Sequence, residues 1–272
     1  HKLKNPKVEV KIGLVGKYVE LKDSYKTIAE ALIHAGASLE IRVKIRWIRA
    51  EELLEPHLLE EHLKGVQGIL VAPGFGERGI EGKINAVQFA RENNIPFFGI
   101  CLGMQCAVVE FARHVLSLRD AASSEMNPAT QHPVIALMEE QKQINQKGGT
   151  MRLGSYSCVL SKNTKAYKAY GTTEIEERHR HRYEFNNEYK SDFEKAGFKC
   201  SGINPDSGLV EIIEIPKHPF FVAAQFHPEY KSTVMNPHPL FKAFVKAALT
   251  YHKSKVPFYA GEYAIRSVIV YQ

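Results

Sequence analysis

Cys101 is the residue of this 272-residue chain whose surroundings point most clearly to chemistry. It lies in a Gly-x-Cys-x-Gly run, between an apolar stretch typical of a short strand and a stretch with helical spacing. A cysteine in such a turn corresponds to a nucleophile elbow, where small neighbours allow a sharp turn that raises the thiol above the sheet. The N-terminus of the following helix favours the thiolate. The run therefore predicts a cysteine nucleophile, and a buried structural cysteine is the alternative.

His227 is the candidate base for this thiol, and Glu229 is the candidate group that orients the base. The apolar run Phe220–Phe226 is typical of a strand and ends in His-Pro-Glu. Proline favours extended geometry in the residue before it, and alternate residues of an extended segment point to the same side. Glu229 then holds one imidazole nitrogen while the other faces the thiol. The sequence predicts a Cys101–His227–Glu229 triad, and two polar surface residues at a strand end are the alternative.

Two backbone N–H groups are candidates for the oxyanion hole that acyl chemistry needs. One belongs to Leu102, the residue after the nucleophile, and the other comes from the loop Gly74–Gly76, after the apolar run Gly68–Ala72. Since both groups follow short apolar strands, we expect these strands to be neighbours in a parallel sheet.

Two further motifs permit other interpretations. The run 74–79 fits the Gly-x-Gly-x-x-Gly pattern, but a dinucleotide fingerprint belongs to the first strand–helix turn and needs an acidic residue after the next strand. We therefore do not predict a nicotinamide or flavin site there. The run Glu177–Arg182 is typical of an extended strand with His179 and His181 on one face and three arginines on the other. A metal site, an anion site and a solvated basic strand are all compatible with this pattern.

Strands and helices alternate in the first half of the chain, which predicts βαβ units. We predict an α/β fold with three layers: a mostly parallel central sheet, helices on both faces, and additional antiparallel strands in the C-terminal half. The predicted strands are Val8–Val15, Leu39–Ile48, Gly68–Ala72, Ile95–Ile100, Thr150–Leu160, Thr173–Asn186, Phe198–Asn204, Leu209–Ile215 and Phe220–Phe226. The predicted helices are Asp23–Ala35, with Gly36 as its stop, and Glu51–Lys64, Gly82–Asn93, Met104–Ala112 and Pro239–His252; residues 121–149 are predicted to form a long polar loop or lid.

The composition is that of an ordinary globular protein, with 44% hydrophobic residues, 24% charged residues and a net charge of +6. It contains no apolar run long enough to cross a membrane and no signal-peptide pattern. The four cysteines lack metal-site spacing and are too few for a disulfide framework. We therefore expect a cytoplasmic protein with no metal and no nucleic-acid or membrane partner. One domain is expected at 8–252, after a linker or expression remnant at 1–7 and before a tail of unknown role at 253–272.

Several motifs together carry a resemblance to a known family. GICLGMQ at 99–105 and FHPE at 226–229 resemble the class I, or triad, glutamine amidotransferases. More narrowly, the chain resembles the glutaminase domains of CTP synthases from about residue 8 to about residue 252. The stretches that carry this narrower resemblance are Val15–Tyr18, Phe75–Lys83, Gly148–Gly154, Glu177–Glu184 and His238–Phe241. One difference is that Ala72-Pro73 stand where the family usually has Pro-Gly. Because Pro73 has no N–H, Gly74 is the donor expected from this loop for the oxyanion hole, beside Leu102.

The resemblance implies a reaction. Cys101 attacks the side-chain amide of L-glutamine and forms a γ-glutamyl thioester, which water hydrolyses to glutamate, and the released ammonia aminates UTP to CTP in a synthetase domain. By motif position, Arg182 binds the substrate α-carboxylate and Glu125 the α-ammonium. The full set of implied glutamine-binding residues is Gly74, Phe75, Leu102, Gln105, Glu125 and Arg182.

The resemblance also implies partners and an effector. ATP, UTP and magnesium are expected only in the N-terminal synthetase (amidoligase) domain, and no cofactor is expected in this one. GTP is the implied allosteric activator, near Arg78, Gly79 and Glu81. The full-length enzyme is expected to be a homotetramer and this domain alone a monomer. A cysteine hydrolase of another substrate class, such as a peptidase or esterase, and a non-enzymatic regulatory module are the alternative functions.

Overall fold

The structure is a computed structural model that describes residues 5–137 and 151–255, apart from the side chain of Lys22. Its strands are β1 Val8–Gly16, β2 Ile41–Arg49, β3 Gly68–Val71, β4 Phe97–Ile100, β5 Ala122–Ser123, β6 Pro133–Leu137, β7 Arg152–Leu160, β8 Glu174–His181, β9 Tyr183–Phe185, β10 Lys199–Ile203, β11 Val210–Glu214 and β12 Phe221–Ala224. Its α-helices are α1 Lys26–Ser38, α2 Pro56–Leu63, α3 Ile80–Glu92, α4 Leu102–His114, α5 Lys165–Tyr170, α6 Lys190–Lys195 and α7 Pro239–Lys255. Four 3-10 turns lie at Lys22–Tyr25, Ala50–Leu53, Asn187–Tyr189 and Pro228–Lys231.

Nine of the described strands form one sheet in the order β2-β1-β3-β4-β12-β11-β10-β7-β8. The pairs from β2 to β12 are parallel, and the pairs from β12 to β8 are antiparallel. A small second sheet has the order β5-β6-β9. The predicted α/β fold is confirmed, including the antiparallel strands of the C-terminal half.

Helices cover both faces of the large sheet because its parallel strands are apolar on both sides. Phe97 and Phe98 of β4 are both fully buried, and they belong to different cores. Phe97 packs in the core that contains α3 and α4, whereas Phe98 packs in the core of α1 and α7, against Phe241 and Phe244. Neighbouring side chains on a strand thus tie the sheet to both helical layers.

The predicted boundaries differ from the observed ones where local geometry competes with propensity. The first helix begins at Lys26, after a 3-10 turn, and continues through Gly36. A Cβ at Gly36 would lie 2.6 Å from the Ile41 carbonyl oxygen, so this glycine permits a close approach to the next strand and does not end the helix. The predicted helix 51–64 is split by Pro56, which takes the first position of α2.

Other differences concern elements that the sequence pattern did not predict. The helices α5 and α6 have only six residues each, too short for a periodic pattern. The predicted strand 173–186 is interrupted at Arg182, where the chain leaves the large sheet and enters the small one. The predicted loop 121–149 contains β5 and β6, and its remainder from 138 lies outside the described residues, as do 1–4 and the tail from 256. In the described ranges, no helix is long and apolar enough to cross a bilayer.

Candidate active site

The candidate site lies where three neighbouring parallel strands end. β3, β4 and β12 are adjacent in the sheet, so their carboxyl ends lie side by side. β3 leads into the loop with Gly74, β4 leads directly into Cys101, and β12 leads into His227. β3 and β4 are therefore neighbours in the parallel part of the sheet, as predicted. In open α/β sheets such edges are where ligands bind.

Cys101 has the backbone conformation expected of a nucleophile elbow. Its φ of 52° and ψ of −105° lie in a region that non-glycine residues seldom occupy, and α4 begins at the next residue. The flanking glycines are required by space: a Cβ at Gly103 would lie 2.2 Å from the Val71 carbonyl oxygen, and one at Gly99 would lie 2.8 Å from Gly103 backbone atoms. The sharp turn thus positions the thiol at the N-terminus of a 13-residue helix.

His227 and Glu229 form a buried hydrogen-bonded pair beside this thiol, with 2.8 Å between His227 Nδ1 and Glu229 Oε1. Burial alone would lower the pKa of His227, but interactions with the Cys101 sulfur and with the Glu229 carboxylate outweigh it and raise the pKa to about 11. The extended segment that we predicted for this pair is wrong. Pro228–Lys231 is a 3-10 turn, and this turn brings the Glu229 carboxylate back to the imidazole.

A cavity of about 430 Å³ opens in front of Cys101. It brings together all six residues that the resemblance implied for glutamine binding, although they come from four separate parts of the chain. The lining residues are Gly74, Phe75, Cys101, Leu102, Gln105, Glu125, Met151, Arg180, His181, Arg182 and Tyr183.

The cavity carries opposite charges that suit the two ends of an amino acid. Glu125 is half-buried, and burial raises the pKa of its carboxyl, while the nearby positive charges of Lys17 and Arg182 lower it. Arg182 lies at the bend between the large and the small sheet and lines the same cavity. A fixed anion and a fixed cation beside a thiol fit an α-amino acid better than an apolar acyl group.

The two predicted oxyanion donors lie on this cavity. In the part of the chain that the structure describes, the N–H groups of Gly74 and Leu102 have no backbone acceptor, as expected for a loop residue and the first residue of a helix. Both groups are therefore available to a substrate oxygen. Their role remains a prediction.

Two lysines that the sequence reasoning missed hold the loop that carries Gly74. Lys83 Nζ is fully buried and donates to the Ala72 carbonyl at 2.6 Å, and Lys17 Nζ donates to the Phe75 carbonyl at 2.6 Å and to the Gly76 carbonyl. Burial lowers the pKa of Lys83 to about 8 and also lowers that of Lys17. The two lysines thus bind carbonyl groups of this loop, and the N–H of Gly74 remains free of a backbone acceptor in the described residues. For Lys83, the signal in the sequence was a lysine at an otherwise apolar position of α3.

Two of the predicted effector residues, Arg78 and Glu81, lie in ion pairs. Arg78 Nε is 3.0 Å from Glu51 Oε1, and Glu81 Oε2 is 2.8 Å from Arg113 Nη1. Gly79 precedes α3 with a φ of 74°. Glu81 and Arg113 line a second cavity of about 310 Å³ that shares Leu102 and Gln105 with the first. The assignment of these residues to a nucleotide effector remains a prediction.

The basic strand β8 has the two faces that its sequence predicted. His179 and His181 are buried, whereas Arg178 and Arg180 are exposed. Each histidine bonds a carboxylate: His179 Nε2 to Glu211 at 2.6 Å and His181 Nε2 to Glu184 at 2.7 Å. Within the described residues, no group of three or more His, Cys, Asp and Glu side chains could hold a metal ion.

Arg178 and Arg180 are both exposed, as in a solvated basic strand, and Arg180 also lines the cavity of Cys101. Its guanidinium lies 6.0 Å from the centroid of the half-exposed Phe75 ring. Arg180 and Arg182 thus both contribute positive charge to the cavity.

The chain matches known proteins over nearly its whole length. The model of the glutamine amidotransferase class-I family matches residues 20–247. The CTP synthases of Cytophaga hutchinsonii and Caldanaerobacter subterraneus are 65% identical over 254 residues and 58% identical over 248 residues. These alignments cover 93% and 91% of this chain, but only 47% and 46% of the relatives. The chain therefore spans about half the length of these relatives.

Solved structures agree with this match. The glutaminase domain of Trypanosoma brucei CTPS, solved with bound acivicin, superposes with a TM-score of 0.84 at 40% identity, covering 89% of this chain and 94% of that one. A Thermoplasma acidophilum protein assigned as a GMP synthase subunit has a TM-score of 0.57 at 16% identity, covering 90% of this chain and 96% of that one, and shares the fold.

The chain belongs to the class I glutamine amidotransferase family. Within that family it is a glutaminase domain of the CTP synthase type, since it matches the trypanosomal glutaminase domain over nearly all of that domain's length.

Proposed function

We propose that this chain hydrolyses L-glutamine to glutamate and ammonia through a γ-glutamyl thioester on Cys101. The observation that carries the proposal is the single cavity that joins a thiol, an anion and a cation. Arg182 binds the α-carboxylate of glutamine and Glu125 its α-ammonium, and the side-chain amide then extends towards Cys101. Gly74, Phe75, Leu102 and Gln105 line the remaining wall.

In the first half of the reaction, the Cys101 thiolate attacks the amide carbon. The carbonyl oxygen becomes an oxyanion that accepts hydrogen bonds from the N–H groups of Gly74 and Leu102. His227, which is protonated beside Glu229, gives its Nε2 proton to the amide nitrogen. The C–N bond breaks, ammonia leaves, and the thioester remains.

In the second half, water attacks the thioester carbon. Neutral His227 takes the proton of that water, and the same two N–H groups bind the new oxyanion. The C–S bond breaks and its electron pair returns to sulfur. Glutamate leaves, and the thiolate–imidazolium pair is restored.

The half-length match to CTP synthases supports a wider role for the ammonia. We infer that a synthetase domain outside this chain uses it to aminate UTP to CTP with ATP and magnesium, and that GTP activates hydrolysis through Arg78, Gly79 and Glu81. A tetrameric full-length enzyme, a monomeric isolated domain and a cytoplasmic location belong to the same proposal.

Glutamate formation from L-glutamine tests the proposal, measured for the chain alone and after addition of a separately produced synthetase domain with GTP. We expect glutamate and ammonia in equal amounts, increased by the partner domain and absent for Cys101→Ala. Hydrolysis that survives in Cys101→Ala would contradict the thioester route. No hydrolysis under any of these conditions, in folded protein, would contradict glutaminase activity.

A further inference from the structure

Gln225 is a fully buried polar residue beside Cys101 that the proposed reaction does not yet use. It follows β12 and stands two residues before His227. Its side-chain Nε2 lies 3.7 Å from Cys101 Sγ, within the range of an N–H to sulfur hydrogen bond. Burying a carboxamide without hydrogen bonds costs free energy. The hydrogen-bond partners of the Gln225 side chain offset this cost.

Neighbouring groups fix which end of the Gln225 amide faces the sulfur. Gln105 Nε2 donates to the Tyr183 carbonyl at 3.0 Å and to Gln225 Oε1 at 3.4 Å. A carbonyl only accepts, so the Tyr183 oxygen requires the NH₂ group of Gln105 on that side. That NH₂ group in turn requires the oxygen of Gln225. The NH₂ group of Gln225 is then directed at Cys101.

The backbone of Gln225 is also held in place. Its N–H donates to the Glu211 carbonyl at 2.9 Å, which continues the pairing of β12 with β11 beyond the end of the strand. The backbone and the side-chain oxygen of Gln225 are therefore both held in place. Its side-chain NH₂ group is left pointing towards Cys101. A donor aimed at a thiolate stabilises the negative charge more than it stabilises a neutral thiol.

We propose that Gln225 is a catalytic residue, whose amide N–H donates a hydrogen bond to the Cys101 sulfur when that sulfur is a thiolate. It acts twice in each turnover. Before acylation it keeps the sulfur ionised together with His227. During thioester hydrolysis the C–S bond breaks with its electron pair moving to sulfur, and the Gln225 N–H stabilises this leaving group while the proton of water goes to His227.

The effect on turnover rests on the proposed glutamine hydrolysis, but the effect on the thiol does not. Iodoacetamide alkylates the thiolate without using the glutamine cavity's charges, so its rate across pH reports the ionised fraction of Cys101 directly. In Gln225→Met the side-chain volume is kept and the donor is lost. We expect the midpoint of the alkylation curve to move to higher pH by about one unit, since a hydrogen bond to a charged group is worth roughly a tenfold change.

The control is Val222→Ala, which removes buried volume from the same strand but no hydrogen-bond donor. Its alkylation midpoint should not move. Gln225→Leu provides a second variant in case Gln225→Met does not fold; it also lacks the donor and adds no charge, so its midpoint should move upward as well. An unchanged midpoint in whichever folded variant is obtained, or an equal shift in Val222→Ala, would overturn the inference.

A second readout separates catalysis from packing. With glutamine added, Gln225→Met should accumulate the γ-glutamyl enzyme, seen by mass spectrometry of the acid-quenched Cys101 peptide, because thiolate departure becomes slow. If the parent chain did not hydrolyse glutamine while the alkylation shift occurred, the proposed function would fall and the role of Gln225 on the thiolate would stand. If the parent chain hydrolysed glutamine but Gln225→Met left the alkylation midpoint unchanged, the proposed function would stand and the role of Gln225 would fall.

Discussion

Four buried histidine–glutamate pairs lie in the described residues, and two of them, His227–Glu229 and His179–Glu211, differ in what surrounds the histidine. His227 and Glu229 are 2.8 Å apart, and His179 and Glu211 are 2.6 Å apart. The second nitrogen of His179 is occupied by the Glu177 carbonyl at 3.0 Å. The second nitrogen of His227 is buried without any protein acceptor in the described residues other than the Cys101 sulfur.

The partner of the second imidazole nitrogen distinguishes these two pairs. Burial alone would raise the pKa of Glu211, but the hydrogen bond and charge of His179 and the charge of Arg152 outweigh it and lower the pKa. Arg152 Nη2 lies 2.6 Å from Glu211, so this pair belongs to a closed ionic cluster. The His227 pair remains open towards a nucleophile. We interpret the His179–Glu211 pair as structural and the His227–Glu229 pair as catalytic.

Removing the catalytic imidazole should have the largest effect. His227→Ala eliminates both the proton donor for ammonia and the base for water, so we expect kcat for glutamine hydrolysis to fall about 10³-fold or more. Glutamate formation under saturating glutamine measures this. His179→Ala should retain most of the turnover per folded molecule, and a comparable loss there would break the distinction between the pairs.

Removing the structural imidazole should instead lower stability. His179→Ala leaves a buried carboxylate with one partner fewer, and we expect the free energy of unfolding to fall by about 3 kcal/mol. Urea unfolding measures it. Arg178→Ala, on the exposed face of the same strand, is the control and should change stability by less than about 0.5 kcal/mol. Equal stability of His179→Ala and the parent chain would show that the cluster is not structural.

The cavity's cation should affect substrate binding more than the chemical step. Arg182→Ala removes the proposed partner of the α-carboxylate, so we expect KM for glutamine to rise about 10- to 100-fold with little change in kcat. Steady-state kinetics with Arg178→Ala as control tests this, since that side chain lies outside the cavity. Arg180→Ala should fall between the two, because Arg180 lines the cavity. Equal KM values for all three variants would contradict the proposed role of Arg182 in binding glutamine.

A smaller effect should appear in the pH profile. Glu229 contributes to the raised pKa of His227, so the imidazolium of Glu229→Gln should lose its proton at lower pH. Loss of the proton donor produces the alkaline decline of kcat, and we expect this decline to move to lower pH by about one unit. Glu211→Gln should leave the decline where it is. The same shift in both variants would show that Glu229 and Glu211 affect the alkaline decline equally, which would contradict the distinction between the two pairs.

The sequence predicted the parts of the site that depend on local geometry. The glycines around Cys101 are required by backbone contacts within one strand–helix turn, and this requirement is visible as a spacing. The Pro in His-Pro-Glu was also informative, although the turn it begins is 3-10 and not extended. Glu125 and Arg182 were predicted only through the family resemblance, because no spacing connects residues so far apart in the chain.

Other residues could not be predicted because tertiary contacts define them. Lys83 lies on a helix face that is otherwise apolar, and its purpose becomes visible only with the Ala72 carbonyl against it. Gln225 is one polar residue at the end of an apolar strand until the fold brings Gln105 and Cys101 to its two ends. The short helix α5 did carry a signal, a capping Thr164 and a terminal Gly171, but it lacked the length for periodicity.

The most direct test of the account is to map the adduct of an amino acid that carries an electrophilic carbon in place of the glutamine amide. Burial raises the pKa of Cys106 to about 11 and of Cys200 to about 12, and it also raises that of Cys158, so these three thiols are poor nucleophiles. We predict a single adduct on Cys101 that L-glutamine prevents and that His227→Ala slows. An adduct on another cysteine, or labelling of Cys101 that glutamine does not reduce, would contradict the assignment of this cavity to glutamine.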